Sequence, residues 1–141
     1  MRTLLTVLIL AGMAVPAVAA EPADAVRPFY EHIGLEYEDG SLELFVDPAR
    51  RVLEGDRRMA EEGDLCLGFL VAIDGQDHDD TVADSLELTQ TVDGDQAEVV
   101  ASFTSFGYRN EVMWRLVDRD GWKVADVGSP KNGWLSELSC D

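Results

Sequence analysis

The sequence predicts an α+β domain, with N-terminal helices packed on one face of a curved antiparallel sheet. Three observations predict it. Apolar residues recur at helical spacing in the first half of the chain and alternate with polar residues in the second half. Asp-Gly pairs at Asp93-Gly94 and Asp120-Gly121 punctuate the alternating runs where hairpins would turn. Helices first and a meander of strands afterwards is the order of an α+β domain rather than of a βαβ one. A sheet curled around such helices leaves a cone-shaped cavity between the two layers.

The first twenty residues, MRTLLTVLILAGMAVPAVAA, read as a signal peptide. Arg2 supplies the positive start, Leu4 to Val15 the apolar run, and Ala17-Val18-Ala19 the small-x-small cleavage pattern. The run is shorter than the roughly 20 apolar residues of a spanning helix. Cleavage after Ala19 or Ala20 leaves residues 21–141 as a single domain, periplasmic or secreted. With no cysteine near that point, lipid attachment is not expected, nor is membrane insertion after cleavage.

Composition narrows the partners. The chain has 28 acidic residues against 11 Lys and Arg, a net charge of −17. Losing Arg2 with the leader makes it −18. Such a surface repels phosphate backbones and anionic headgroups, so nucleic acid is not an expected partner. A basic partner suits it, as does solubility alone. Cys66 and Cys140 are the two cysteines, an even pair in a chain bound for an oxidising compartment, and they read as a disulfide. Closing a loop of about 75 residues stabilises by about 4 kcal/mol in the chain-entropy picture.

Val26, Phe29, Tyr30 and Ile33 set the first helical stripe, with Asp24 as N-cap, Pro28 in the first turn and Gly34 at the end. A second helix is capped by Asp47, has Pro48 at its first position and stops before Gly63. Its apolar face is Ala49, Val52, Leu53, Met59 and Ala60. Its other face carries Arg50, Arg51, Arg57 and Arg58, with Glu54, Glu61 and Glu62 spaced to pair with them. An apolar run from Leu65 to Ile73 breaks into Asp74-Gly75-Gln76-Asp77-His78-Asp79-Asp80. Strands follow around Leu86 to Val92, Ala97 to Phe106, Glu111 to Val117 and Trp122 to Val127. A last helical turn over Asn132 to Leu138 presents Trp134, Leu135 and Leu138.

The early Phe29-Tyr30 helix, the Gly75-Gln76-Asp77 break, the hairpin Asp120-Gly121-Trp122-Lys123-Val124-Ala125-Asp126-Val127 and the closing Trp134-Leu135-Ser136-Glu137-Leu138 come in that order. Together they resemble the bacterial domain of unknown function 3828 family, an exported branch of the nuclear transport factor 2-like superfamily. The resemblance spans the chain after the leader and implies a nuclear transport factor 2-like, cystatin-like cone. It implies no particular reaction, because the Asp-Gly-Trp-Lys hairpin marks a fold and not an activity.

Chemistry is sparse. Asp74, Asp77, Asp79 and Asp80, with His78 among them, are candidates for a cation site; they lack EF-hand spacing and read first as a solvated turn. Asp118-Arg119-Asp120-Gly121 starts like a calcium loop but is flanked by strands on both sides. No zinc pattern, phosphate loop or nucleophile elbow occurs, and no cofactor is expected. If Asp120-Gly121 is the central pair of a two-residue turn, Val117 meets Val124, Leu116 meets Ala125, Trp114 meets Val127 and Arg115 meets Asp126. Arg115 and Asp126, with Tyr108, are then the candidate polar group facing the cavity, and Asp77 is a further catalytic candidate. A structural ion pair is the plainer account of the first two. Trp114, Trp122 and Trp134 read as core or cavity wall.

The function these observations favour is an exported, non-enzymatic binding or interaction module, taking a small ligand in the cavity or a protein on the acidic surface. An immunity-like or envelope-associated accessory role fits within it. The alternative is a small isomerase, dehydratase or hydrolase using a cavity carboxylate as acid or base.

Overall fold

The structure, a computed structural model, describes residues 20–141. The expected leader falls almost wholly outside that range. The described chain begins with two short helices, α1 (Pro22–Val26) and α2 (Pro28–Glu31). The single helix expected here is split because Pro28 has no N–H for the preceding turn and its ring clashes with it. The capping residue is Glu21, in a capping box in which its N–H donates to the Asp24 carboxylate at 3.1 Å. Two 3₁₀ turns, Leu35–Tyr37 and Ser41–Leu44, lead to α3 (Ala49–Glu61). The run from 65 to 73 forms neither helix nor extended strand, and α4 (Thr81–Ser85) precedes the sheet.

The sheet consists of β1 (Glu87–Asp93), β2 (Gln96–Ser105), β3 (Tyr108–Asp118), β4 (Trp122–Ser129) and β5 (Gly133–Trp134). All pairings are antiparallel, in the order β1-β2-β3-β4-β5. One face buries Val99, Ala101, Phe103, Val112, Trp114, Leu116, Val124 and Val127 against Val26, Phe29, Tyr30, Phe45, Val52 and Leu53. The period-2 alternation of β2 and β3 produces this face directly.

The cone is not formed. An open five-stranded antiparallel sheet with few helices takes its place, and only α3 exceeds five residues among the described helices. The reason lies between the layers. Phe29 packs on Phe45 and Trp114 at ring-centroid distances of 5.4 and 4.9 Å, and Tyr30 packs on Phe103 at 5.6 Å. The four-residue α2, carrying both Phe29 and Tyr30, fills the space a cone would enclose.

The β3–β4 register follows the expected one at Trp114–Val127 and Arg115–Asp126 and then departs from it. Leu116 pairs with Val124 and Val117 with Lys123, because Ala125 is an extra residue on β4. The turn is one residue longer than expected. Asp118 pairs with Trp122, and Asp120 and Gly121 take φ of 55° and 108°. At β1–β2 the turn keeps two residues but is displaced by one: Asp93 pairs with Gln96, and the central pair is Gly94-Asp95 in place of Asp93-Gly94.

Cys66 and Cys140 are joined, with Cα atoms 5.6 Å apart. The bond seats the C-terminus on α3, where Arg58 Nη2 also donates to the Cys140 carbonyl at 3.3 Å. A bonded pair is the state cysteines keep in an oxidising compartment. Among the described residues no helix is long and apolar enough to cross a membrane.

Candidate functional site

The helices cover one face of the sheet, so side chains of the opposite pleat stand free. One cross-strand row runs over four strands: Thr91 pairs with Glu98, Glu98 with Arg115, and Arg115 with Asp126. Asp93, Gln96 and Val117 continue the same face, and Pro48 and Ser136 close its far side. Together they line an open groove of about 710 Å³.

Each charged member of the row has a distinct setting. Glu98 is exposed. The Arg115 guanidinium lies 3.6 Å from the centroid of the Trp134 ring, a cation–π contact that holds its long side chain across the sheet. Trp134 can sit there because its partner in the ladder is Gly128, where a Cβ would fall 2.6 Å from the indole. Asp126 is buried, 4 % exposed, and its carboxylate accepts from Ser136 N at 3.1 Å, Ser136 Oγ at 2.6 Å and Val127 N at 3.1 Å. Arg115 and Asp126 are thus opposed in the ladder, and their side chains go to different partners. Tyr108 stands at the start of β3, seven positions from Arg115, and is 76 % exposed. It takes no part in this group.

The acid run is likewise dispersed. Asp74 accepts from Ser129 Oγ at 2.6 Å and from Asn132, pinning the end of β4. Asp79 accepts from Phe106 N at 3.1 Å and from Thr81 N and Oγ, pinning the β2–β3 turn. The Thr81 hydroxyl, ahead of the backbone donors, holds the Asp79 carboxyl below its ordinary range. Asp77 and Asp80 are exposed, and Asp77 accepts from the His78 N–H at 2.9 Å. Among the described residues the group close enough to share a cation is Asp56, Cys66 and Cys140, whose sulfurs are already joined.

The basic face of α3 is largely committed to the fold. Arg57 Nη2 donates to the carbonyls of Glu36 and Glu38 at 2.7 and 3.1 Å and to Ser41 Oγ at 2.8 Å, rather than to Glu61. Arg50 pairs with Glu54 at 2.9 Å. Glu36, fully buried, escaped the sequence reading. Its Oε1 accepts from Val71 N at 2.9 Å and its Oε2 has no partner, and burial pushes its carboxyl above the usual range. Nothing in the local pattern around Gly34-Leu35-Glu36 marks a buried acid. Of the Glu98–Arg115–Asp126 row, only Arg115 opposite Asp126 is expected from the sequence; Glu98 joins it through the β2–β3 register.

The site is a charged groove on an open sheet, a surface suited to contact rather than an enclosed reaction chamber. No family model matches the chain, and no curated protein matches it. Among solved structures, it is similar to a chain in the crystal structure of the type VI effector–immunity complex Tae3–Tai3 from Ralstonia pickettii. The two share 20 % sequence identity with a TM-score of 0.58, over 78 % of this chain and 97 % of that one. At that identity the likeness is one of fold. It joins the open sheet in replacing the nuclear transport factor 2-like cone expected from the sequence.

Proposed function

We propose that this chain is an exported, non-enzymatic interaction module that binds a basic protein partner on its open sheet face, in the manner of an immunity protein. The observation that carries this is the Thr91–Glu98–Arg115–Asp126 row, which lays a charged groove across a face no helix covers. The net charge of −17 favours a cationic partner and speeds its approach. The likeness in fold to a chain of an effector–immunity complex supports the same class of role. The signal-type start and the Cys66–Cys140 bond support export.

The carboxylate-enzyme alternative has less support. A general base needs a free lone pair facing the reacting group, and Asp126 accepts from Ser136 and Val127 instead. The experiment is capture from envelope extract on the immobilised oxidised chain, beside Glu98→Arg and Arg115→Glu. A basic protein held by the wild type, released by salt and lost on Glu98→Arg supports the proposal. Equal retention by wild type and both variants moves the contact off this groove.

A further inference from the structure

We infer that the β2–β3 turn is a preorganised aromatic knob that inserts into an apolar, basic-rimmed pocket on a protein partner, as a second contact separate from the sheet-face groove. Ser105 pairs with Tyr108, so the turn is the two-residue pair Phe106-Gly107, with φ of 49° and 80°. Both central residues at positive φ define a primed turn, for which Asn-Gly is the preferred sequence. A phenylalanine at the first position is a backbone outlier, because its Cβ crowds the carbonyl in the left-handed region. The chain therefore places a bulky side chain where a small polar one would serve the fold better.

That side chain does not return to the core. Phe106 is 55 % exposed and Tyr108 beside it 76 %. Aromatic side chains at rigid protruding positions are what protein interfaces use as anchors. Rigidity here comes from the 79–85 segment. Asp79 Oδ2 accepts from Phe106 N, Asp79 N donates to Ser105 Oγ at 3.4 Å, Thr81 Oγ donates to the Thr104 carbonyl at 3.0 Å, and Ser85 Oγ accepts from Thr104 N at 2.8 Å. A knob already ordered loses little freedom on binding.

The surroundings select the partner's chemistry. Exposed Asp77, Asp80 and Asp84 flank or lie within the segment that straps the turn, while Arg109, the nearest cation along β3, stands 3.5 Å from Glu87. Exposed acids on the segment that straps the turn disfavour an anionic membrane and suit a pocket with apolar walls and Lys or Arg at its rim. The turn and the groove lie at opposite ends of β2, since Gln96 and Glu98 line the groove and Ser105 ends the strand.

The inference rests on the protein-binding proposal above. The probe is the basic protein captured on the wild-type chain, purified and titrated by calorimetry against wild type, Phe106→Asn, Tyr108→Ser and, as control, Leu65→Ser, an exposed apolar site elsewhere. Phe106→Asn suits positive φ, so its melting temperature should equal or exceed that of wild type. Expected is a loss of affinity of about tenfold or more for Phe106→Asn and for Tyr108→Ser, and none for Leu65→Ser. Wild-type affinity in both tip variants overturns the knob and leaves partner binding standing. Failure of the wild type to capture any protein overturns both. Should one tip variant not fold, the other decides by the same criterion.

Discussion

Arg115 and Asp126 face one another across the β3–β4 ladder and do not form the ion pair that their opposition suggests. The guanidinium lies over Trp134, and the carboxylate is buried among donors from Ser136 and Val127. The difference is energetic. An exposed ion pair contributes about 1 kcal/mol or less, whereas a buried carboxylate left without its donors costs about 1–3 kcal/mol or more. Ser136 wins Asp126, and the aromatic face of Trp134 takes Arg115.

Asp126→Ala should therefore destabilise by about 1–3 kcal/mol through the Ser136 contacts, and Arg115→Ala by about 1 kcal/mol or less. Urea denaturation of the singles and the double should give a coupling of no more than about 0.5 kcal/mol, the range of independent sites. A coupling well above that would restore the ion pair.

Glu36 makes stability depend on pH. Its folded carboxyl titrates above the unfolded value because burial disfavours the charged form. Below the unfolded pKa the group is neutral in both states and costs nothing. As pH rises through the folded pKa, the unfolded state ionises more readily and stability falls. Glu36→Gln keeps an acceptor for Val71 N and removes the titration. Unfolding midpoints at pH 4 and pH 7 should show the variant gaining on wild type as pH rises; parallel changes would contradict the assignment.

The Cys66–Cys140 bond closes a separation of 74 residues. Its removal by Cys66→Ser with Cys140→Ser should lower stability by up to about 4 kcal/mol. Hydrogen exchange should rise first after Leu135, where the tail then holds through Asp126–Ser136, the Arg58 bond to the Cys140 carbonyl and the packing of Leu135 and Leu138. Thiol titration of the denatured, unreduced chain should find no free thiol.

Gly55 is needed for close approach rather than for an unusual backbone angle. A Cβ there would stand 2.2 Å from the Cys140 carbonyl oxygen. Gly55→Ala should gain helix propensity in α3 yet destabilise by about 1–3 kcal/mol as α3 and the C-terminal strand of chain are pushed apart. Thermal unfolding of the variant reads the sign directly. The cost should shrink when the disulfide is reduced and the tail can withdraw.

Much of the fold was legible because it is written in short-range chemistry. Val99, Ala101 and Phe103 alternate, and so do Val112, Trp114 and Leu116, which places β2 and β3 and their buried face. The span from Pro48 to Gly63 encloses α3 within a residue or two of its ends. Two cysteines in a chain read as exported left one pairing to expect. Arg115 opposite Asp126 is expected from a two-residue turn, and it holds because the extra residue in the turn and the bulge at Ala125 offset one another.

The remainder depended on groups distant in the chain. Whether the first helical stripe encloses a cavity or fills one turns on Phe29 and Tyr30 meeting Phe45, Phe103 and Trp114. The bulge at Ala125 decides which residues of β4 point outward, and a one-residue shift reverses every side chain beyond it. Asp126 is a buried hydrogen-bond hub only because Ser136 returns to it, and Glu36 is a buried acid only because Val71 comes to it from 35 residues away. Periodicity and turn preference act over a few neighbouring residues and can be read along the chain. Burial and hydrogen-bond partners are set by which surfaces meet, and for Asp126 and Glu36 those surfaces come together only in the folded protein.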